Sequence, residues 1–232
     1  MYRSLVSERP VMVIIPAYQE GPRIAAVVEA ALRYLPVVVV DDGSTDATAA
    51  SAEAAGALVL RQVPNAGKGA ALRAGFAYAL DHGVDAVVTL DGDGQHDPNE
   101  IPTFLAAYER AHAELVIGRR DFRSMPLVRR VSNTLGRVVI SAAVGQDVPD
   151  NQSGYRLIGR RLMAALLDSR ESGFEFEVEM IARGLALGES IEWVPIRTTY
   201  AGEPSHIRPW AHFRSFLRVA REARRIVRST SA

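Results

Sequence analysis

The stretch Ala86-Val-Val-Thr-Leu90-Asp91-Gly92-Asp93-Gly-Gln95-His96-Asp97-Pro98 decides how the rest of the chain is read. Its first five residues form an apolar, β-branched run of the kind buried on both faces of a parallel sheet. Its last two have the form of a helix N-cap followed by an N1 proline. Between them lies a polar loop with two carboxylates two residues apart, which predicts a strand, an acidic loop and a helix.

The same alternation extends on both sides. Apolar runs at 11–15, 37–40, 57–60 and 114–117 predict four more strands. Segments 24–34, 45–55, 68–80 and 98–110 carry apolar residues at helical spacing between them. The order βαβαβαβαβ predicts an α/β fold with a mostly parallel central sheet and flanking helices. In such sheets ligands bind beyond the carboxyl ends of the strands. The sequence turns polar at those places: Pro16-Ala-Tyr18-Gln-Glu20, Asp41-Asp42-Gly-Ser-Thr-Asp46, Asp91 to Asp97, and Gly118-Arg119-Arg120. The second half predicts helices at 127–144, 162–167, 177–187 and 210–227, and short strands after 150 and at 191–196.

Composition bounds the rest. With 232 residues, 48% hydrophobic and 23% charged, the chain suits one large globular domain. The absence of cysteine excludes disulfides and thiolate metal sites. It is compatible with a reducing cytoplasm. No apolar run approaches the ~18 residues of a spanning helix, and the first ten residues lack the apolar stretch of a signal peptide. Net charge is zero, but six arginines face one acid between 119 and 137, and seven face one acid between 206 and 228. A nucleic-acid-binding protein would explain the basic stretches, but the acidic remainder argues against it.

Asp91 and Asp93 at a strand's end suit a hard divalent cation, Mg²⁺ or Mn²⁺, that keeps positions open for phosphate oxygens. Gln95 or His96 could complete the shell. An EF-hand is excluded, because His96 stands where Gly is needed and Pro102 where Glu is needed. Gly67-Lys68-Gly69 is neither a P-loop nor a dinucleotide fingerprint, since Gln62, Gly69 and Leu72 break both patterns. It leaves Lys68 at a helix N-terminus, an anion site. Asp42, at a strand end beside the crevice, could accept from a base or ribose. Glu175, Glu177 and Glu179 read as acids entering a helix rather than as a second metal site.

In this order and spacing, these motifs resemble the family 2 glycosyltransferases with the GT-A fold. The branch they resemble most is that of the dolichol- and polyprenyl-phosphate mannosyltransferases. Further matching pieces are Asn65-Ala-Gly67-Lys68-Gly69, Asp150-Asn-Gln152-Ser-Gly154-Tyr-Arg156, 174–180 and Val194-Pro195-Ile196. The resemblance implies a metal-dependent, inverting hexosyltransferase that uses a nucleotide sugar, GDP-mannose foremost, and a polyprenyl or dolichyl monophosphate. Pro16, Tyr18, Glu20, Asp42, Lys68 and Gly92 would hold the nucleotide sugar, and Asp91, Asp93 and Gln95 the metal. Arg120, Arg129 and Asn133 would receive the acceptor phosphate. Arg156 and a loop from Tyr200 to His206 would close over the donor, where Arg156 and His206 would assist the leaving diphosphate. This branch often carries Arg and Lys in that last loop, so the donor's identity is the least constrained feature.

A UDP-sugar donor, or a hydroxyl acceptor with Asp150 as general base, is the alternative. A nucleotidyltransferase is disfavoured by the lack of a Gly-rich basic loop after the first strand, and a non-catalytic nucleotide-sugar-binding module by the intact Asp91 and Asp93. Residues 1–205 would be the catalytic domain. Residues 206–232 would be a basic amphipathic helix, either part of that domain or a peripheral contact with an anionic membrane. That implies a cytoplasmic protein, peripheral at the inner face of the cell membrane.

Overall fold

The computed structural model describes residues 10–122, 127–173, 175–198 and 209–229, without the side chains of 127–129, 132, 209–217 and 229. The strands are β1 (Val11–Ala17), β2 (Val37–Asp41), β3 (Leu58–Arg61), β4 (Ala86–Thr89), β5 (Leu115–Arg120), β6 (Arg156–Gly159) and β7 (Ile191–Ile196). The helices are α1 (Ile24–Leu32), α2 (Thr48–Ala54), α3 (Lys68–Asp81), α4 (Ile101–Ala111), α5 (Leu127–Val144), α6 (Arg160–Leu166), α7 (Glu175–Ala186) and α8 (Pro209–Ser229). The strands form one sheet in the order β3-β2-β1-β4-β6-β5-β7. Only β6 runs antiparallel, wedged between β4 and β5.

The apolar runs lack alternation because both faces of the sheet are covered. Ile14, Val38, Val87 and Ile117 face a core shared with α3, α6, α7 and α8. Val13, Val39, Val88 and Val116 face a second core with α1 and α4. Helix α3 lies so close to β1 that a Cβ on Gly75 would sit 2.6 Å from Ile14 Cγ2. Phe104 of α4 stacks on Tyr155 at 4.3 Å between ring centroids.

Two helix starts differ from expectation for local reasons. Helix α2 begins at Thr48 rather than 45, because Asp46 accepts from the Thr48 backbone N–H at 2.9 Å and from Gly21 N–H at 3.0 Å. Those bonds hold 45–47 in a loop. Pro98 opens a 3₁₀ turn over Pro98–Glu100 before α4, and Asp97 caps it by accepting from Asn99 N–H at 3.0 Å.

Helix α8 packs on α5 and α7. Val219, Ala220 and Ala223 are buried there, and Arg218 bridges Glu171 at 2.8 Å. Among the described residues no helix is long and apolar enough to cross a membrane.

Candidate active site

A cleft of about 510 Å³ opens at the carboxyl ends of β1, β2 and β4, lined by Pro16, Tyr18, Glu20, Asp42, Asn65, Gly67, Lys68, Asp91, Gly92 and Asp93 among others. Three of the four polar strand ends therefore converge on one cavity, whereas Gly118-Arg119-Arg120 at the end of β5 does not line it. Its outer wall is two loops stitched together. Gln19, at φ 58°, donates its backbone N–H to Ser44 Oγ at 3.0 Å, and Glu20 N–H donates to Thr48 Oγ1 at 2.8 Å. Tyr18 remains exposed in the mouth, and Glu20 pairs with Arg23 at 2.7 Å.

Asp42 lines the cleft, but its carboxylate is already engaged. Its two oxygens accept from Ala66 N–H at 2.8 Å and Gly67 N–H at 2.7 Å. It builds the turn that presents Lys68. At the floor, Lys68 Nζ lies 2.7 Å from Asp91 Oδ1 and 2.9 Å from Glu177 Oε1. Asp91 Oδ2 is 3.6 Å from His96 Nε2. Burial acts to raise the Asp91 pKa, but Lys68 and His96 outweigh it and hold the carboxyl well below its usual range. Burial likewise acts to lower the Lys68 pKa, and Asp91 and Glu177 reverse it. Lys68 and Asp91 thus stay ionised across neutral pH.

Asp93 sits one loop turn away and accepts from Gln95 N–H at 2.9 Å. No cluster of three or more His, Cys, Asp or Glu side chains suited to a metal occurs among the described residues. A pair of hard carboxylates with an amide beside them fits Mg²⁺ or Mn²⁺, which is held by one or two carboxylates plus substrate phosphates and water.

Arg156 is placed differently from expectation. It is fully buried and donates to the carbonyls of Ser153 at 2.8 Å, Glu177 at 2.6 Å and Asn151 at 3.2 Å. Burial lowers its pKa to about 10, which still leaves it charged at neutral pH. It ties the 151–154 loop to α7 and is not among the residues that line the cleft, because a buried guanidinium satisfies its donors on loop carbonyls.

Arg120 and Asp150, assigned to different roles from the sequence, form one bidentate pair at 2.7 and 2.8 Å. Asp150 is fully buried and also accepts from Gln152 N–H at 3.2 Å. Asn133 is buried on α5. The Arg129 side chain, Tyr200 and His206 lie outside the described residues.

Two site residues went unassigned from the sequence. The three alternating acids diverge: Glu175 bridges Arg218 at 3.3 Å, Glu177 bridges Lys68, and Glu179 bridges Arg183 at 2.7 Å. Only Glu177 reaches the cleft floor, and spacing alone could not single it out. The second is Gly154, where a Cβ would fall 2.7 Å from Asp91 Oδ2 and 2.8 Å from Lys68 Nζ. Its one signal in the sequence was its place in the segment Asp150-Asn-Gln152-Ser-Gly154-Tyr-Arg156.

Comparison with known proteins agrees with this architecture. A solved structure of glucosyl-3-phosphoglycerate synthase from Mycobacterium tuberculosis, in complex with Mn²⁺ and UDP-glucose, superposes with a TM-score of 0.73 at 21% identity, over 96% of this chain and 79% of that one. At that identity the likeness concerns the fold, which is the expected GT-A type. The undecaprenyl-phosphate mannosyltransferase of Micrococcus luteus is 33% identical over 201 residues, covering 80% of this chain and 82% of its own. The UDP-N-acetylglucosamine–dolichyl-phosphate N-acetylglucosaminyltransferase of Methanococcus voltae is 30% identical over 225 residues, covering 84% and 88%. Residues 12–167 match the model of the glycosyl transferase family 2. With that match over about two thirds of the chain and these relatives covered over more than four fifths of their lengths, the chain belongs to glycosyltransferase family 2, in the neighbourhood of the polyprenyl-phosphate mannosyltransferases.

Proposed function

We propose that this protein transfers a hexose, with inversion, from a nucleotide sugar to a polyprenyl monophosphate. The carrying observation is the placement of Asp91 and Asp93 at the end of β4, in a cleft whose opposite wall holds Tyr18, Glu20 and Asp42. Tyr18 and Glu20 would hold the nucleoside, and Pro16 and Gly92 would shape the walls. Asp91 and Asp93, with Gln95, would hold Mg²⁺ or Mn²⁺, whose chemistry is to offset the charge that develops on the departing diphosphate. Lys68 faces the same region with a compact ammonium.

An oxygen of the acceptor phosphate attacks C1. The C1–O bond to the nucleoside diphosphate breaks, and its electron pair leaves with the diphosphate. The acceptor is already an anion, so no base is needed, only positioning. A hydroxyl acceptor would need a free carboxylate. Asp150 is buried against Arg120, which favours the phosphate reading. Arg120, with Arg129 and Asn133, is the proposed acceptor site, where Arg120, held in place by Asp150 through Nε and Nη2, would offer Nη1 and its positive charge to the phosphate. GDP-mannose is the donor to test first, since the Micrococcus relative is a mannosyltransferase, and UDP sugars come second.

Arg120→Lys keeps the charge and removes the fork that Asp150 holds in place. It is expected to raise the KM for polyprenyl phosphate roughly tenfold or more, on the scale of about 1.5–3 kcal/mol for a charge-assisted contact, while nucleotide affinity holds. Steady-state kinetics in each substrate check this, and a change confined to the nucleotide would reverse the two subsites.

A lipid acceptor places the enzyme at a bilayer, and we place it peripherally at the inner face of the cell membrane. Helix α5 supports this, with Val131, Leu135 and Val138 exposed along one side and Arg130 exposed beside them. The burial of Val219, Ala220 and Ala223 supports counting 206–232 with the catalytic domain and uses part of the apolar stripe of α8. Flotation with anionic liposomes is expected at low salt and lost at high salt. Failure to float at low salt would remove the membrane reading.

A further inference from the structure

Lys68 is the only lysine in the chain; the other 26 Lys and Arg positions are arginine. It stands on the carboxylate that the proposed metal site requires. Asp91 Oδ1 is 2.7 Å from its ammonium, His96 lies 3.6 Å from the other oxygen, and Gly154 packs against the pair so closely that a Cβ there would fall within 2.9 Å of both oxygens. A planar guanidinium needs more width than this floor gives, whereas an ammonium is a compact charge on a flexible stem. On the far side, Glu177 holds the same ammonium at 2.9 Å. Glu177 is buried, and its Oε2 has no hydrogen-bond partner. Its position is fixed independently, by Arg156 on its carbonyl at 2.6 Å and by Gly69 N–H on the Ser172 carbonyl at 2.9 Å ahead of α7.

A buried carboxylate with one oxygen unsatisfied is a place to which a second donor can move. A divalent cation sits about 2.0–2.1 Å from its carboxylate oxygen, and an ammonium on that oxygen would be repelled at close range. Asp91 therefore has two mutually exclusive uses.

We propose that Lys68 and the divalent cation take turns on Asp91, with Glu177 as the positioning residue that receives Lys68 when Asp91 turns to metal. The inference rests on the metal-site reading above and deepens it. Lys68 masks Asp91 in the absence of donor, so metal binds the free protein weakly. Released toward Glu177, its ammonium faces the nucleotide diphosphate, so metal and diphosphate strengthen each other's binding.

The test measures Mn²⁺ binding to nucleotide-free protein by electron paramagnetic resonance of the free ion, with neither sugar nor acceptor present. Lys68→Met is expected to tighten Mn²⁺ binding about tenfold and to weaken nucleoside-diphosphate binding. Glu177→Gln is expected to loosen Mn²⁺ binding a few-fold, because Lys68 then commits to Asp91. Unchanged or weaker Mn²⁺ binding in folded Lys68→Met, or both variants shifting Mn²⁺ in the same direction, overturns the exchange. Asp91→Asn is the control for the metal site itself: if it leaves Mn²⁺ binding intact, the site reading fails rather than the exchange. A measurement on the unaltered sequence covers variants that do not fold. Protein carrying ¹³C-lysine has a single Cε resonance, which is expected to move on adding Mg²⁺ alone. A resonance that stays in place while Mg²⁺ binds overturns the proposal.

Discussion

Asp93→Ala is expected to lower sugar transfer by roughly 10²-fold or more, the scale of removing one strong electrostatic stabiliser of a developing charge. The fold should survive. Asp93 lies in the loop after β4, outside both cores, and accepts locally from the backbone N–H of Gln95, two residues on. A half-buried loop position outside the cores usually moves stability by no more than about 1 kcal/mol. Turnover at saturating metal, measured beside a urea melt, separates the two effects. Full turnover in the folded variant would remove Asp93 from the metal site.

Arg156→Met is expected to have the opposite signature, a large loss of stability that drags activity down with it. The guanidinium is fully buried and bonds three loop carbonyls. Methionine fills part of the volume and leaves those carbonyls without partners, at about 1–3 kcal/mol each. Even partial relaxation leaves a deficit of roughly 3–5 kcal/mol, the usual cost of removing one side of a buried charged network. Against a typical domain stability of about 5–15 kcal/mol, the urea midpoint should fall markedly. A variant with an unchanged midpoint and reduced turnover would return Arg156 to the reacting groups.

These two residues mark what the sequence made legible. The frame around Asp93 could be read because it depends on local order: a strand, an acid pair, then a capped helix, all within thirteen residues. The strands were legible for the same reason, since burial on both faces leaves uninterrupted runs such as 37–40 and 86–90. The burial of Arg156 was not legible, because its donors meet the carbonyls of Asn151 and Ser153 in its own loop and of Glu177 on α7, and an arginine's sequence neighbours do not say whether its donors meet phosphate or carbonyl. The pairing of Arg120 with Asp150 is likewise a product of β5 lying beside the loop that enters β6. Glu177 escaped for a simpler reason. Three acids at alternate positions of a helix start point in three directions, and only the packing of α3 near α7, through Gly69 and Arg73 on 171–172, selects the one that meets Lys68.

The most direct test of the account is to incubate the purified protein with a panel of nucleotide sugars, Mg²⁺ or Mn²⁺, and a polyprenyl phosphate, following the lipid by mass spectrometry. The account predicts a hexose joined to the lipid phosphate from one donor, abolished by EDTA and restored by added metal. Transfer only to a hydroxyl lipid, transfer that persists in EDTA, or no transfer from any donor by protein that binds nucleotide would contradict it.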